Sequence, residues 1–485
     1  MTSDAIRPQQ LINGQWRDGS GADGIDVFDP STGERIAELA PATIADADGA
    51  VAAAKAAFES WSELSLARRV QYLYRMRQNL IDHSEELART ITRDQGKTLD
   101  EARGEVLRSC DFLEAAIAAP MLYGSTSGNI AGNLDYKHLR EPLGVALAIT
   151  PLNFPVMNPT LFVGWALVTG NTLVVKPSEQ DPLASTHALQ LLADGLPAGV
   201  LNVIQGRADV SQHLVSHPDV AAVSCITSTP VARSIHQTAT QLGKRVQANG
   251  GAKNPIVIAA DADLEAAAEG VITSAFGMAG QRCLAGTRII AERPVYDELV
   301  ERVAQLTDRL VLGSGLDPET TLCPVVSAAA KARITGMIDA AAEAGATLIR
   351  DGRGAEPQTP SAKPGGYYLG PTIIADLPID HPSSCEEMFG PAIIVHAADS
   401  VDEAIAMAND TEFGNAASIW TASASTARRF ERGIRSGNIG INAFPGPPAN
   451  QTMGGLGASF FGESHICGDA PLRFYTEEKL VSSRW

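Results

Sequence analysis

An α/β fold built on parallel sheets is predicted for this chain, and three features predict it. Short β-branched runs alternate with alanine- and leucine-rich stretches of helical period from Val145 to about Arg245. A second α/β run extends from Pro255 to about Ile434. Between an N-terminal helical region and the first run lies a polar, alternating segment, Asn129 to Arg140, which reads as a strand projecting from the main body. Strands that alternate with helices imply parallel sheets joined by right-handed crossovers. At 485 residues the chain should divide into two or three domains.

The elements follow in order. Leu11 to Gly33 reads as short strands and turns, with Ile12-Asn13-Gly14 and Val27-Phe28-Asp29-Pro30 as markers. Ala50 to Ser60 and Leu66 to His83 carry helical periodicity within an alanine-rich stretch that runs to about Ala119. Val145 to Thr150 is a strand and Pro159 to Gly170 a helix, then Asn171 to Pro177 a strand and Pro182 to Ala193 a helix. Val200 to Ile204 is a strand, Val210 to Ser216 a helix, Ala221 to Ile226 a strand and Pro230 to Gly243 a helix, before a strand from Arg245. Pro471 to Leu480, with Leu-Arg-Phe-Tyr-Thr, reads as a last strand-like piece.

Composition excludes several classes of function. Hydrophobic residues make up 45% and charged ones 19%, which suits a large soluble enzyme and argues against disorder. A net charge of −18 repels phosphate backbones, so no nucleic-acid partner is expected. No apolar run approaches the roughly 18 residues of a membrane-spanning helix. Met1 to Gln10 is polar and lacks the apolar core of a signal peptide, so export is not indicated. The six cysteines (110, 225, 283, 323, 385 and 467) show no CxxC spacing and read as neither a disulfide framework nor a metal site. A reducing cytoplasm is the simplest setting.

Cys283 stands apart because of its surroundings. It lies in Gly280-Gln281-Arg282-Cys283-Leu284-Ala285-Gly286, where small neighbours leave room for an incoming carbonyl and Arg282 supplies a cation. The thiolate is the attacking species, and an adjacent positive charge favours it. Upstream, Gln247-Ala248-Asn249-Gly250-Gly251-Ala252-Lys253-Asn254-Pro255 forms a glycine-rich turn between strand-like runs. Together these segments resemble the active-site pair of the aldehyde dehydrogenase superfamily, and the resemblance extends over nearly the whole chain.

Further motifs occur in that family's order. Thr150-Pro151-Leu152-Asn153-Phe154-Pro155 resembles the segment whose asparagine helps form the oxyanion hole. Such a donor is typically worth roughly 2.7–4 kcal/mol. Lys176-Pro177-Ser178-Glu179 resembles the strand end that holds the adenosine ribose, which implies hydrogen bonds from Lys176 and Glu179. A carboxylate there repels a 2′-phosphate, so NAD is favoured over NADP. Glu386-Glu387-Met388-Phe389-Gly390-Pro391 resembles the family's second glutamate motif, with Glu387 on the nicotinamide ribose and Phe389 packed beside the nicotinamide. In the pyrophosphate loop the chain departs from the pattern: Thr227 and Ala232 replace two glycines, while Ser228 still fits a phosphate-facing helix end.

Asn249 stands where most members carry the glutamate that activates water. A neutral amide cannot act as a general base. A thiol such as coenzyme A ionises more readily than water and needs less help. Asn249 with Gly250-Gly251-Ala252-Lys253-Asn254, Gly243 to Gln247, Asn415 after Gly414, and Ala458 to Glu463 resemble the CoA-acylating, methylmalonate-semialdehyde dehydrogenase branch. Arg108, on a helix, and Arg282 match positions at which that branch grips a substrate carboxylate, a task suited to the planar guanidinium. Gly286-Thr287-Arg288 and Phe444-Pro445-Gly446-Pro447-Pro448 differ from the branch, and both are expected to line the substrate funnel.

The resemblance implies a Rossmann-like NAD-binding domain (1–121 and 139–248, with 437–464 returning to it), an α/β catalytic domain (249–436) and a β oligomerisation arm (122–138 and 465–485). It implies NAD as cofactor, coenzyme A as co-substrate, a small carboxylated semialdehyde as substrate, and a homodimer or homotetramer. Within the site, Cys283 and Asn153 are the expected catalytic groups, and Arg108, Arg282 and Asn249 the expected substrate-binding ones. Two other readings are a hydrolytic enzyme making the free acid, with Glu386 or Glu387 recruiting water, and a non-catalytic dinucleotide-binding protein.

Overall fold

The computed structural model describes residues 6–122, 124, 126–446 and 448–485. Residues 1–5, Tyr123 and Ser125 of the expected arm, and Pro447 of the expected funnel lie outside the described residues.

The first α/β run folds as an eight-stranded sheet. Its order is Gln15–Arg17, Gln10–Ile12, Leu201–Val203, Thr172–Lys176, Val145–Ile149, Val220–Ile226, Arg245–Asn249 and Phe460–Gly462. The five central strands are parallel, and the two strands that flank them, Gln10–Ile12 and Phe460–Gly462, run antiparallel to them. Val145–Ile149 and Thr172–Lys176 are buried at every position, which explains why they read as continuous apolar runs rather than alternating ones. The second run gives a seven-stranded sheet ordered Thr347–Arg350, Thr372–Ala375, Ala392–Ala398, Gly286–Glu292, Asn254–Ile258, Ala416–Trp420 and Asn438–Ile441. Only its first strand is antiparallel to its neighbour.

Each sheet has its own core. Trp61, Leu73, Leu113, Phe162, Trp165 and Val175 pack in one, and Ile256, Ile289, Val303, Ile338 and Ile394 in another. Capping chemistry sets the starts of two long N-terminal helices. Thr43 forms a capping box with Asp46 for Ile44–Ser62, and Thr98 forms one with Glu101 for Leu99–Ile117.

Two expectations change. The segment expected as one projecting strand is a hairpin, Ser127–Ala131 with Leu134–Pro142, turning at Gly132 with a φ of 56°. Thr476–Arg484 pairs along the whole length of the second strand to make a three-stranded sheet. The chain-end piece is only partly strand: Ala470–Phe474 is a helical turn opened by Pro471. Leu472, Phe474 and Tyr475 then bury in the first core, which an extended backbone would not allow on one side. Among the described residues no helix is long and apolar enough to cross a membrane.

Candidate active site

The parallel strands of the first sheet end at one edge, since Ile149 pairs with both Lys176 and Cys225, and Ile226 with Asn249. Strand order reverses between Val145–Ile149 and Val220–Ile226, and α/β sheets bind ligands in the crevice at such a point. Lys176 is buried at its strand end, with Nζ donating to Glu179 Oε2 at 2.6 Å. Ser228 occupies the N-cap of the helix Thr229–Gln241 with extended backbone, and its side chain makes no capping bond. The helix's first N–H groups are therefore available to an anion. Ala232, which replaces a family glycine, turns its methyl into the core and packs there.

Cys283 follows a strained turn. Met278, Ala279 and Gly280 all have positive φ, of 53°, 51° and 70°. Such backbone persists only where the surroundings enforce it. Enforcement comes from Glu101, whose Oε1 accepts from Met278 N at 2.6 Å, and from Gln281, whose side chain donates to Met278 O and accepts from Val326 N. Asn153 is 4% exposed and donates from Nδ2 to Gln281 O at 3.1 Å, which brings the expected oxyanion donor to the nucleophile's turn. The Cys283 carbonyl accepts from Asn254 Nδ2 at 2.9 Å and Asn415 Nδ2 at 2.8 Å. Neither contact was foreseen as a site feature. Their partners lie far apart in sequence, so no local spacing announces them.

Electrostatics at Cys283 differ from expectation. Burial, with the Glu387 carboxylate adding to it, pushes its thiol up to about 11. The N–H groups of Cys283 and Leu284 and the Arg282 cation pull the other way without prevailing. The resting side chain is thus a thiol, because desolvation of a thiolate outweighs one neighbouring cation. Glu387 is itself half-buried and raised to about 7 by desolvation, against the pull of the Ala252 N–H, Lys253 and Arg333. Its Oε1 accepts from Ala252 N at 3.2 Å, beside Gly251, where any side chain would collide with Oε2. Arg333 Nη2 donates to Met388 O at 2.7 Å, and Phe389 is held at φ 49°. The carbonyl of Gly390 abuts Gly280 closely enough to exclude a Cβ, so the glutamate loop and the nucleophile turn are in contact.

The remaining residues are placed as follows. Asn249 ends its strand with Nδ2 donating to Cys225 O at 3.1 Å, and the adjoining Gly250 N donates to Ser459 O at 2.9 Å. Arg282 donates from Nη2 to the carbonyls of Thr273 and Ser274, the latter at 2.8 Å, and its guanidinium lies 5.0 Å over the Phe444 ring. One edge of the fork is therefore committed to a helix end, while its buried Nε has no hydrogen-bond partner. Arg108 donates to Asp111 and lies over Phe112 at 5.2 Å. It shares a helix face with Glu101 and Glu105 (i, i+4, i+7). Glu101 reaches Met278, and Glu105 reaches the N–H groups of Val156 and Met157. Asp48, His213 and His217 also bring three potential metal-ligand atoms together on the surface helices. The Nδ1 of His217 accepts from Asp219 N, which leaves the neutral ring's one proton on Nε2, where it faces Asp48 as a hydrogen-bond donor rather than a metal ligand.

Residues 16–481 match the model of the aldehyde dehydrogenase family. The malonate-semialdehyde dehydrogenase 2 of Bacillus thuringiensis (strain Al Hakam) is 40% identical over 480 residues, covering 98% of each chain. The malonate-semialdehyde dehydrogenase 1 of Geobacillus thermodenitrificans is 38% identical over 488 residues and covers 100% of each. Among solved structures, the methylmalonate-semialdehyde dehydrogenase of Oceanimonas doudoroffii superposes with a TM-score of 0.96 at 35% identity, covering 99% of each chain. A structure from Sinorhizobium meliloti 1021, described as a candidate methylmalonate-semialdehyde dehydrogenase complexed with NAD, also gives 0.96 at 34% identity, covering 100% of this chain and 99% of that one. With the match running from residue 16 to 481, through the Cys283 turn and the C-terminal return, the chain belongs to the aldehyde dehydrogenase family.

Proposed function

We propose that this chain oxidises a small carboxylated semialdehyde, of the malonate or methylmalonate type, with NAD and transfers the acyl group to coenzyme A. The observation that carries the reading is Asn249, an amide where a hydrolytic member needs a base. The names of the similar proteins support the substrate class, and the NAD-bound relative supports the cofactor. The residues present fit NAD: Lys176 and Glu179 offer a cation and a carboxylate to ribose hydroxyls, and the helix end at Ser228 offers N–H groups to the pyrophosphate. Glu387 and Phe389 would hold the nicotinamide half.

Cys283 gives its proton to solvent water and attacks the aldehyde carbon, forming a carbon–sulfur bond as the carbonyl π bond opens. Negative charge gathers on the aldehyde oxygen, where the second amide hydrogen of Asn153 and the Cys283 N–H receive it. Bound NAD supplies the hydride acceptor for that carbon. The acyl group is left as a thioester on Cys283. Asn249 cannot deprotonate water there, so the thiol of coenzyme A attacks the carbonyl and the Cys283 sulfur leaves. With malonate-type acids, loss of carbon dioxide intervenes and acetyl- or propionyl-CoA results. Arg282, through its unpartnered Nε, and Arg108, on the helix face turned to the site, are the proposed carboxylate grip.

One observation favours a second reading. Glu387 is a half-buried carboxylate raised to about 7 and close enough to perturb Cys283, as a base for hydrolysis would be. Product analysis separates the two. Steady NADH formation that requires coenzyme A and yields acyl-CoA supports transfer, whereas rapid turnover to free acid in buffer alone excludes it.

We also propose the domain boundaries given above, with 465–475 joining the first core rather than the arm, and a cytoplasmic location. The exposed Leu480 and Trp485 on the three-stranded sheet, and Ile441 on the edge strand of the second sheet, are the surfaces proposed to join subunits into a dimer or tetramer.

A further inference from the structure

We infer that the buried ion pair Lys97–Glu105 is a positioning device for the oxyanion donor Asn153. Both side chains are fully buried, and Lys97 Nζ lies 2.6 Å from Glu105 Oε2. The same ammonium donates to the backbone carbonyl of Asn153 at 2.7 Å and sits 4.5 Å over the Phe154 ring. The other carboxylate oxygen of Glu105 accepts from Val156 N at 2.8 Å and Met157 N at 3.0 Å. Val156 is the N-cap of the helix Met157–Val168 and provides no side-chain cap of its own, so Glu105 does that work from another helix. The turn from Asn153 to Met157 is therefore pinned at three backbone atoms by two charges that belong to neither of its flanking elements.

Stability alone does not account for such a pair. Burying two charges costs desolvation that apolar side chains of similar volume would avoid. Geometry does account for it. An oxyanion donor acts only when its N–H meets the oxygen at hydrogen-bonding distance, and a misplacement of about 1 Å can cost about 100-fold in rate. Asn153 already spends one amide hydrogen on Gln281 O, which leaves a single N–H whose direction is fixed by the backbone that Lys97 and Glu105 hold. The lysine also places a full positive charge behind that amide.

This inference rests on Asn153 being the oxyanion donor for aldehyde attack, and it is tested before any acyl acceptor is needed. The measurement is the pre-steady-state NADH burst without thiol, with malonate semialdehyde and propanal in parallel, for Lys97→Met, Asn153→Ala and the pair combined. Lys97→Met is expected to slow the burst about 10- to 100-fold while NAD affinity and the aldehyde concentration for half-saturation stay within about twofold. Added to Asn153→Ala, it is expected to cause little further loss, because it acts through that residue. Losses that multiply in the combined variant, or a burst unchanged by Lys97→Met, would overturn the inference. Lys97→Met/Glu105→Leu removes both charges and guards against misfolding: a restored melting temperature with a slow burst supports the positioning role, and a restored burst overturns it. Glu105→Gln, which keeps an acceptor for Val156 and Met157, carries the same cycle where the other variants fail to fold. None of these outcomes depends on whether coenzyme A or water later releases the acyl group.

Discussion

The resting state of Cys283 can be tested through Glu387→Gln, which removes a half-buried charge but keeps an oxygen for the Ala252 N–H. With the thiol raised to about 11, only about one molecule in a thousand carries the thiolate at pH 8. Alkylation by iodoacetamide in the unliganded protein should therefore rise about tenfold per pH unit up to about pH 10. A Cys283→Ser control subtracts the other five cysteines, which are also free. Glu387 is the second-largest cause of the raised value, after burial. Removing its charge should lower the thiol by up to about one unit and speed alkylation at pH 8 severalfold. Glu387 titrates near 7, so below that it is already neutral and the variant and the parent should converge. Equal rates at pH 8, or a parent profile that levels off below about pH 9, would refute the reasoning.

Two other outcomes follow from the geometry. Asn254→Ala and Asn415→Ala each remove one of the two donors on the Cys283 carbonyl. Asn415→Ala should cost roughly 1 kcal/mol in denaturant unfolding and Asn254→Ala roughly two to three times as much, since its amide also bonds Ala285 O and Ala416 N, and each should slow the NADH burst more than it weakens NAD binding. Asp94 and Asp181 are fully buried, and burial, with their mutual charge at Asp181, raises both, Asp94 to about 7. Folded-state values above the ordinary 3.8 mean that the native state holds more protons than the unfolded one, so stability is lost as pH rises through about 7. Asp181→Asn should then raise the melting temperature at pH 9, with the gain fading by pH 5.

The fold was legible because its signals are local. Asp181-Pro182 punctuates the start of a helix whose bounds, Pro182–Ala193, match the pattern residue for residue. The apolar runs of the central strands announce burial on both faces. The turn at Pro471 was misread because Leu-Arg-Phe-Tyr-Thr suits either state by composition, and only its packing against the first core decides for helix. At the site, Cys283, Asn153 and Glu387 could be picked out because each sits in a short motif. Asn254 and Asn415 also lie in quoted motifs, but their contacts, like the residues Lys97 and Glu105, carry no local signal, because their work is done on backbone atoms 29 to 132 residues away. The thiolate expectation failed for a related reason. Sequence shows that Arg282 is adjacent, but not that its fork is turned to the carbonyls of Thr273 and Ser274 while the sulfur is desolvated.

Asn249 and the neutral thiol belong to one electrostatic design. Glu387 already abuts Gly251, two residues beyond Asn249, and already raises Cys283. A second carboxylate at 249, two residues from the glycine that Glu387 abuts, would add a like charge to this side of the site and push Glu387 higher still. With an amide there, the carboxylate that raises the sulfur is one that titrates near 7, and it is the group proposed to turn to the nicotinamide ribose. Engaging that ribose would draw the carboxylate's charge away from Cys283 and lower the thiol at the moment an aldehyde must be attacked. The nucleophile would thus be awakened by assembly of the ternary complex rather than by a permanent neighbour, which spares an idle enzyme from alkylation and oxidation.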